Sequence, residues 1–219
     1  SVNKTVDKKY NGLFGSISSE GTVRNLHITH AKTIENPTYS YIGILAAENN
    51  GYIFNCSVGN SSIELSSTTN TYVQAFICGN NKGCIANCFA TNDSIKTEDD
   101  ASVGTIAGYA TGYILNCYAY RNTFTKKSTA TIGGIVGSSG SKSLVVSNCC
   151  ASHNISYTNF GAIIGQSLKT TTIDHVFYNK GNLYEDNSSS NIDKYYTYNS
   201  NYYVNGKHIS TYLNEWIDS

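Results

Sequence analysis

A patch of small and aliphatic residues recurs six times along this chain, and it constrains the fold more than any other feature. It reads Asn11-Gly12-Leu13-Phe14-Gly15, Ile42-Gly43-Ile44-Leu45-Ala46-Ala47, Val73-Gln74-Ala75-Phe76-Ile77-Cys78, Val103-Gly104-Thr105-Ile106-Ala107-Gly108, Ile132-Gly133-Gly134-Ile135-Val136-Gly137 and Phe160-Gly161-Ala162-Ile163-Ile164-Gly165. Its last residue falls at 15, 47, 78, 108, 137 and 165, in steps of 32, 31, 30, 29 and 28. A second landmark follows each patch by about ten residues: Val23-Arg24-Asn25-Leu26, Ile53-Phe54-Asn55-Cys56, Ile85-Ala86-Asn87-Cys88, Ile114-Leu115-Asn116-Cys117, Val146-Ser147-Asn148-Cys149 and Ile173-Asp174-His175. A period near 30 residues marks a stacked repeat, each unit burying its apolar side against the next.

Each unit carries three stretches rich in β-branched and aromatic residues. In the fourth they are Ser102–Gly108, Tyr113–Tyr120 and Thr123–Lys126, separated by Thr111-Gly112 and Arg121-Asn122. That is strand punctuation, and no unit shows the i, i+3, i+4, i+7 pattern of a helix. The predicted fold is therefore all-β: a parallel β-helix, or β-solenoid, of about six coils. Coils would stack about 4.8 Å apart. A β-sandwich with regular turns is the alternative, and equivalent residues in six consecutive units argue against it. Leu13, Leu45, Ile77, Ala107, Val136 and Ile164 should form one internal apolar ladder. Val23, Ile53, Ile85, Ile114, Val146 and Ile173 should form another.

Solenoid repeats should span residues 1–182. A Tyr- and Asn-rich segment, 183–219, should cap the last coil or lead into a further domain. Within it Glu185–Asn191 and Tyr195-Tyr196-Thr197-Tyr198 read as loop. Asn205-Gly206 reads as a hairpin turn. Ile209, Leu213, Trp216 and Ile217 fall on one helical face, with Ser210 or Thr211 as N-cap.

The seven cysteines are mostly a product of the repeat. Cys56, Cys88, Cys117 and Cys149 share one phase and read as a ladder of small buried side chains. Disulfides between adjacent coils fit the separation bridged cysteines need. A tetrathiolate metal site needs convergence that a line of thiols lacks. Cys78 reads as a small residue, and Cys84 and Cys150 as exposed or paired thiols. Asn25, Asn55, Asn87, Asn116 and Asn148 form a second, structural ladder. Asn60, Asn92, Asn122 and Asn154 read as turn residues that accept left-handed dihedrals.

Certain of these motifs resemble the GLUG repeat. They are Gly133-Gly134-Ile135-Val136-Gly137 followed by Val146-Ser147-Asn148-Cys149-Cys150-Ala151, Val103–Gly108 followed by Gly112–Ala119, and Asn87-Cys88-Phe89-Ala90-Thr91. The resemblance covers roughly residues 10 to 180. The first coil lacks the Cys, and Asp174-His175 replaces Asn-Cys in the last. Proteins with such repeats are typically secreted or cell-surface bacterial proteins, adhesins among them. Some immunoglobulin A-cleaving metallopeptidases carry the repeats outside their catalytic domain. The resemblance implies display or adhesion and transfers no catalytic residue.

Charge narrows the function further. Lys+Arg and Asp+Glu balance at 15 each, so no basic patch offers itself to nucleic acid. No apolar run is long enough to span a bilayer. A chain that opens on Ser1 and has no methionine is expected to be a fragment or a processed product. The densest acidic group, Glu98-Asp99-Asp100, reads as a solvated turn. His27 and His30 share a coil without a completing ligand, and His153 lies four coils away. No cofactor, metal set or catalytic set is legible. What remains is a neutral chain with eighteen tyrosines. A binding face would be built from Tyr52, Tyr72, Tyr109, Tyr113, Tyr118 and Tyr120, since aromatic side chains supply contact area without charge. The expected function is a non-catalytic adhesion or spacer module, secreted or at the cell surface, binding host protein or glycan. An accessory domain of a secreted peptidase or carbohydrate-active enzyme is one alternative. A fibre-forming protein that self-associates end to end is the other.

Overall fold

In a computed structural model the described residues are 10–35, 40–65, 72–97, 100–126, 129–140, 143–153, 160–166, 171–179, 195–198, 203–204, 207–208 and 210–211. Each complete coil has five short strands where three were expected. The fourth coil runs through Ser102–Gly104, Ala107–Ala110, Tyr113–Leu115, Tyr118–Tyr120 and Thr123–Lys126. These strands define faces one to five. Among the described residues, faces one, two and three are six-stranded sheets, face four has seven strands and face five has four. Pairing between coils is parallel throughout the stack. The stack is a β-solenoid of about five turns, slightly fewer than expected, with a sixth rung on the first four faces.

The extra corners come from single residues. Asn25, Asn55, Asn87, Asn116, Asn148 and His175 all adopt φ between 48° and 57°. A left-handed residue breaks a strand, and asparagine tolerates that region better than most side chains. These residues divide the stretch read as Tyr113–Tyr120 into faces three and four. His30, Asn60, Asn92 and Arg121 make the next corner in the same way, at φ 53° to 58°. Arg121 thus takes the conformation expected of Asn122, which is instead buried. Asn154 lies outside the described residues. The turn between faces one and two needs small residues: a Cβ on Gly104 would sit 1.9 Å from the Ala107 carbonyl oxygen.

Register corrects one ladder and confirms the other. Cys78 pairs with Ala46 and Ala107, so Gly79, not Cys78, is the counterpart of Ala47 and Gly108. The inner ladder therefore runs through Leu45, Ile77, Ile106, Ile135 and Ile163, while Leu13, expected inside, is 44% exposed in the first coil. Ala107, Val136 and Ile164 stand one residue later. The ladder from Val23 through Ile114 to Ile173 holds in register as expected. From Ile53 to Ile173 its members are buried.

Polar ladders tie the corners together. Between faces four and five the Ala31 N–H donates to Ser61 Oγ at 3.1 Å. The Ser61 N–H donates to Asp93 Oδ1 at 2.7 Å, and the Asp93 N–H to Asn122 Oδ1 at 2.9 Å. Asp93 is 1% exposed, and its Oδ2 has no partner among the described residues. Burial pushes its carboxyl up to about 7, against the pull of hydrogen bonds from the Ser61 and Thr91 backbone.

The four phased cysteines are buried, and none of them is bridged. Each thiol donates to the carbonyl two residues back, as from Cys117 to Leu115 at 3.2 Å. In register, Leu26 takes this position in the first coil and Val176 in the sixth. Replacement by aliphatic residues at both ends identifies the thiols as core filling. Hydrogen bonding to Cys88 and burial push the Cys56 thiol far up, and burial does the same to Cys117. Cys56, Cys88, Cys117 and Cys149 should resist a thiol reagent in the native protein and react after denaturation. Rapid native-state labelling at these positions, mapped by mass spectrometry, would contradict this packing.

Beyond the sixth rung, Tyr195–Tyr198 is a strand and not the expected loop. It pairs in parallel with Val176–Asn179 and extends face four. Tyr203–Val204 pairs antiparallel with Lys207–His208, which agrees with the hairpin read at Asn205-Gly206. Ser210 and Thr211 are helical. Leu213, Trp216 and Ile217 lie outside the described residues.

Candidate binding face

Alternation along three-residue strands decides which side chains leave the tube. On face three the outward row holds Tyr52, Cys84, Tyr113 and Val145 in coils two to five. A second outward row holds Phe54, Ala86, Leu115 and Ser147. On face four the outward rows are Ser57, Phe89, Tyr118, Cys150 and Gly59, Thr91, Tyr120, Ser152. None of these sixteen positions is charged. Tyr52, Tyr113 and Tyr118 are 46%, 54% and 44% exposed.

The aromatic residues pair. Tyr52 stacks on Phe54 with ring centroids 5.7 Å apart. Phe89 stacks on Tyr118 at 5.0 Å and 16° between planes. The Arg121 guanidinium lies over the Tyr120 ring at 4.9 Å. Between faces three and four runs the asparagine corner. Asn116 Nδ2 donates to Asn87 Oδ1 at 3.0 Å, and Asn148 Nδ2 to Asn116 Oδ1 at 2.6 Å. Asn55 likewise donates to Asn25 at 3.3 Å. A groove of about 330 Å³ lies between this ladder and the Phe89–Tyr118 pair, with Cys150 at its end.

The tyrosines singled out from sequence do not form one surface. Tyr52 and Tyr113 lie on face three, Tyr118 and Tyr120 on face four. Tyr109 is half-buried on face two, in the row with Glu48, Asn80 and Ser138. Tyr72 is fully buried and cannot contact a ligand. It shares the inward phase of face one with Gln74, two residues on. Phe89 belongs to this surface although it is not a tyrosine, and the sequence signals it, since it follows Asn87-Cys88 as Tyr118 follows Asn116-Cys117.

Charge gathers elsewhere. Glu48, 8% exposed on face two, accepts from Lys82 Nζ at 2.9 Å, Asn80 Nδ2 at 3.1 Å and Asn50 Nδ2 at 3.0 Å. Burial alone would raise its carboxyl, but these donors outweigh it and hold the group below its ordinary value. With one carboxylate and one amine, the cluster is a polar tie between coils two and three. Among the described residues, no group of three or more His, Cys, Asp or Glu side chains is placed to hold a metal ion. Among them, too, no helix is long and apolar enough to cross a membrane.

The parallel ladders and their register decide the architecture. This chain is a β-solenoid. No family model matches it, and no curated protein does. A crystal structure of a candidate immunoglobulin A1 protease from Bacteroides ovatus shares the solenoid fold. The two are 16% identical, with a TM-score of 0.57 over 87% of this chain and 70% of that one. At that identity the likeness is one of fold.

Proposed function

We propose that this solenoid is a non-catalytic recognition module of a larger secreted or surface-displayed protein of the GLUG-repeat kind. It binds protein or glycan through faces three and four. The observation that carries the reading is the uncharged aromatic surface of coils two to four, where Tyr52, Phe54, Phe89, Tyr113 and Tyr118 stand outside the tube. Large aromatic side chains with few rotatable bonds are effective binding anchors. The fold shared with the candidate Bacteroides protease supports a second reading, in which the module accompanies a peptidase and holds its substrate or its cell surface.

Recognition through such a surface should be weakly salt-dependent. An array of glycans and host proteins, probed at low salt and at about 0.5 M, where the screening length is below about 5 Å, measures this. Binding should persist at high salt. Complete loss would show that ionic groups drive recognition and would reject this face.

A further inference from the structure

We propose that the groove beside the Phe89–Tyr118 pair is a subsite for an uncharged glycan chain lying along the stack axis. The inference rests on the recognition reading above and deepens it, because it commits to a ligand class and to one strip of the surface. The groove pairs two chemistries. One wall is the stacked pair of rings, with Tyr118 44% exposed. The other is the ladder of Asn87, Asn116 and Asn148. A sugar ring offers the complement of both: a C–H face that packs on an aromatic ring, and equatorial hydroxyls that donate and accept at its edge.

The ladder is bonded along its length and open at Asn87, while His175 of the sixth coil follows Asn148 at the same corner. Within it, Asn116 donates to Asn87 and Asn148 to Asn116. Among the described residues no hydrogen bond uses the Asn87 side-chain donor, so the exposed Asn87 keeps its Nδ2 for a ligand. At the other end Asn148 is 4% exposed, and its Oδ1 has no partner among the described residues. Asn87 and Asn148, which both line the groove, lie two coils apart, about 10 Å at the usual strand spacing. That span suits two linked sugar rings better than one. The absence of charge on the surrounding rows disfavours acidic polysaccharides and strongly charged peptides.

The test uses the whole 219-residue chain. Titrations with cellohexaose, mannohexaose and chitohexaose, followed by calorimetry, should show saturable binding to at least one. Tyr118→Ala and Phe89→Ala should each weaken it about tenfold, the loss of about 1.4 kcal/mol of stacking. Tyr118→Phe should retain affinity, because the ring face is kept. Asn116→Gly removes the middle amide while tolerating φ 51°, and should weaken binding by a similar factor. Thermal melts of each variant separate lost binding from lost folding. Thr125→Ala, exposed on face five, should bind as the parent does. No saturable binding to any of the three overturns the inference. So does unchanged affinity in a folded Tyr118→Ala variant. If Tyr52→Ala or Tyr113→Ala abolishes binding to an array ligand while Tyr118→Ala does not, the recognition reading stands and the groove is rejected. Capture of a protein ligand alone, with no oligosaccharide bound, also rejects it.

Discussion

Ile114→Asp is expected to unfold the stack. Ile114 is 0% exposed at the centre of the ladder that runs from Val23 to Ile173, paired with Ile85 on one side and Val146 on the other. Removing a buried isoleucine side chain costs about 2–5 kcal/mol, and placing an unpaired carboxylate there adds several more. The sum approaches the whole stability of an ordinary domain, about 5–15 kcal/mol. Far-ultraviolet circular dichroism and size exclusion should show loss of the β signal and of the compact species. The control is its neighbour in the same strand. Tyr113 points outward and is 54% exposed, so Tyr113→Asp should change the melting temperature little. Equal effects from both substitutions would mean that the assigned inside and outside of face three are wrong.

Asp93→Asn should stabilise the protein above neutral pH by on the order of 2–4 kcal/mol. The carboxyl titrates at about 7 in the folded chain because it is buried, against about 3.9 when unfolded. Between those values the folded state holds the proton and the unfolded state does not. Its stabilising contribution is therefore complete below about pH 4 and is lost as pH rises through 7. Asn122 already occupies the same ladder position one coil later, which makes asparagine a compatible replacement. His153 acts in the opposite sense. Burial holds its imidazole down at about 4, beside Phe124 and Phe160, with Nε2 bonded to the Gly134 carbonyl at 3.0 Å. Its contribution is present above about 6.5 and is lost as pH falls towards 4. The two slopes overlap, so the quantity to measure is the difference between variant and parent. Denaturant midpoints should diverge steadily from pH 4 to pH 8. A constant difference would mean that Asp93 is ionised throughout.

The solenoid was legible because register repeats every side chain at a fixed phase, and six copies of one pattern outweigh any local ambiguity. Its finer geometry was not. Ser102–Gly108 and Tyr113–Tyr120 read as single strands because a left-handed Asn116, or a bend at Thr105 and Ile106, costs one or two residues and leaves both flanks β-like. The phase slipped between Ile77 and Ile106 because the patches differ mainly in which small residue comes where, so Cys78 and Gly79 compete for one position. Tyr72 looked like surface because tyrosine usually keeps its hydroxyl wet. Its burial follows from alternation with Gln74, which is itself an inward amide donating to Thr97 at 2.7 Å. The meeting of Phe89 and Tyr118 was legible from their shared phase after Asn-Cys, but the parallel stacking of their rings was not, because phase fixes neighbours and leaves ring orientation open.

The ladder between faces four and five has a direction. The N–H of Ala31 is met by Ser61, that of Ser61 by Asp93, and that of Asp93 by Asn122. In this row each coil leans on its successor. The two ends of the stack are therefore unequal under truncation. Deleting coils from the amino end removes donors together with their need for a partner. Deleting them from the carboxyl end strips the acceptor from the coil that becomes last, and leaves its amide to water in place of a side-chain oxygen. A chain emerging from synthesis meets the same asymmetry: each coil is left incomplete at this corner until the next has been made.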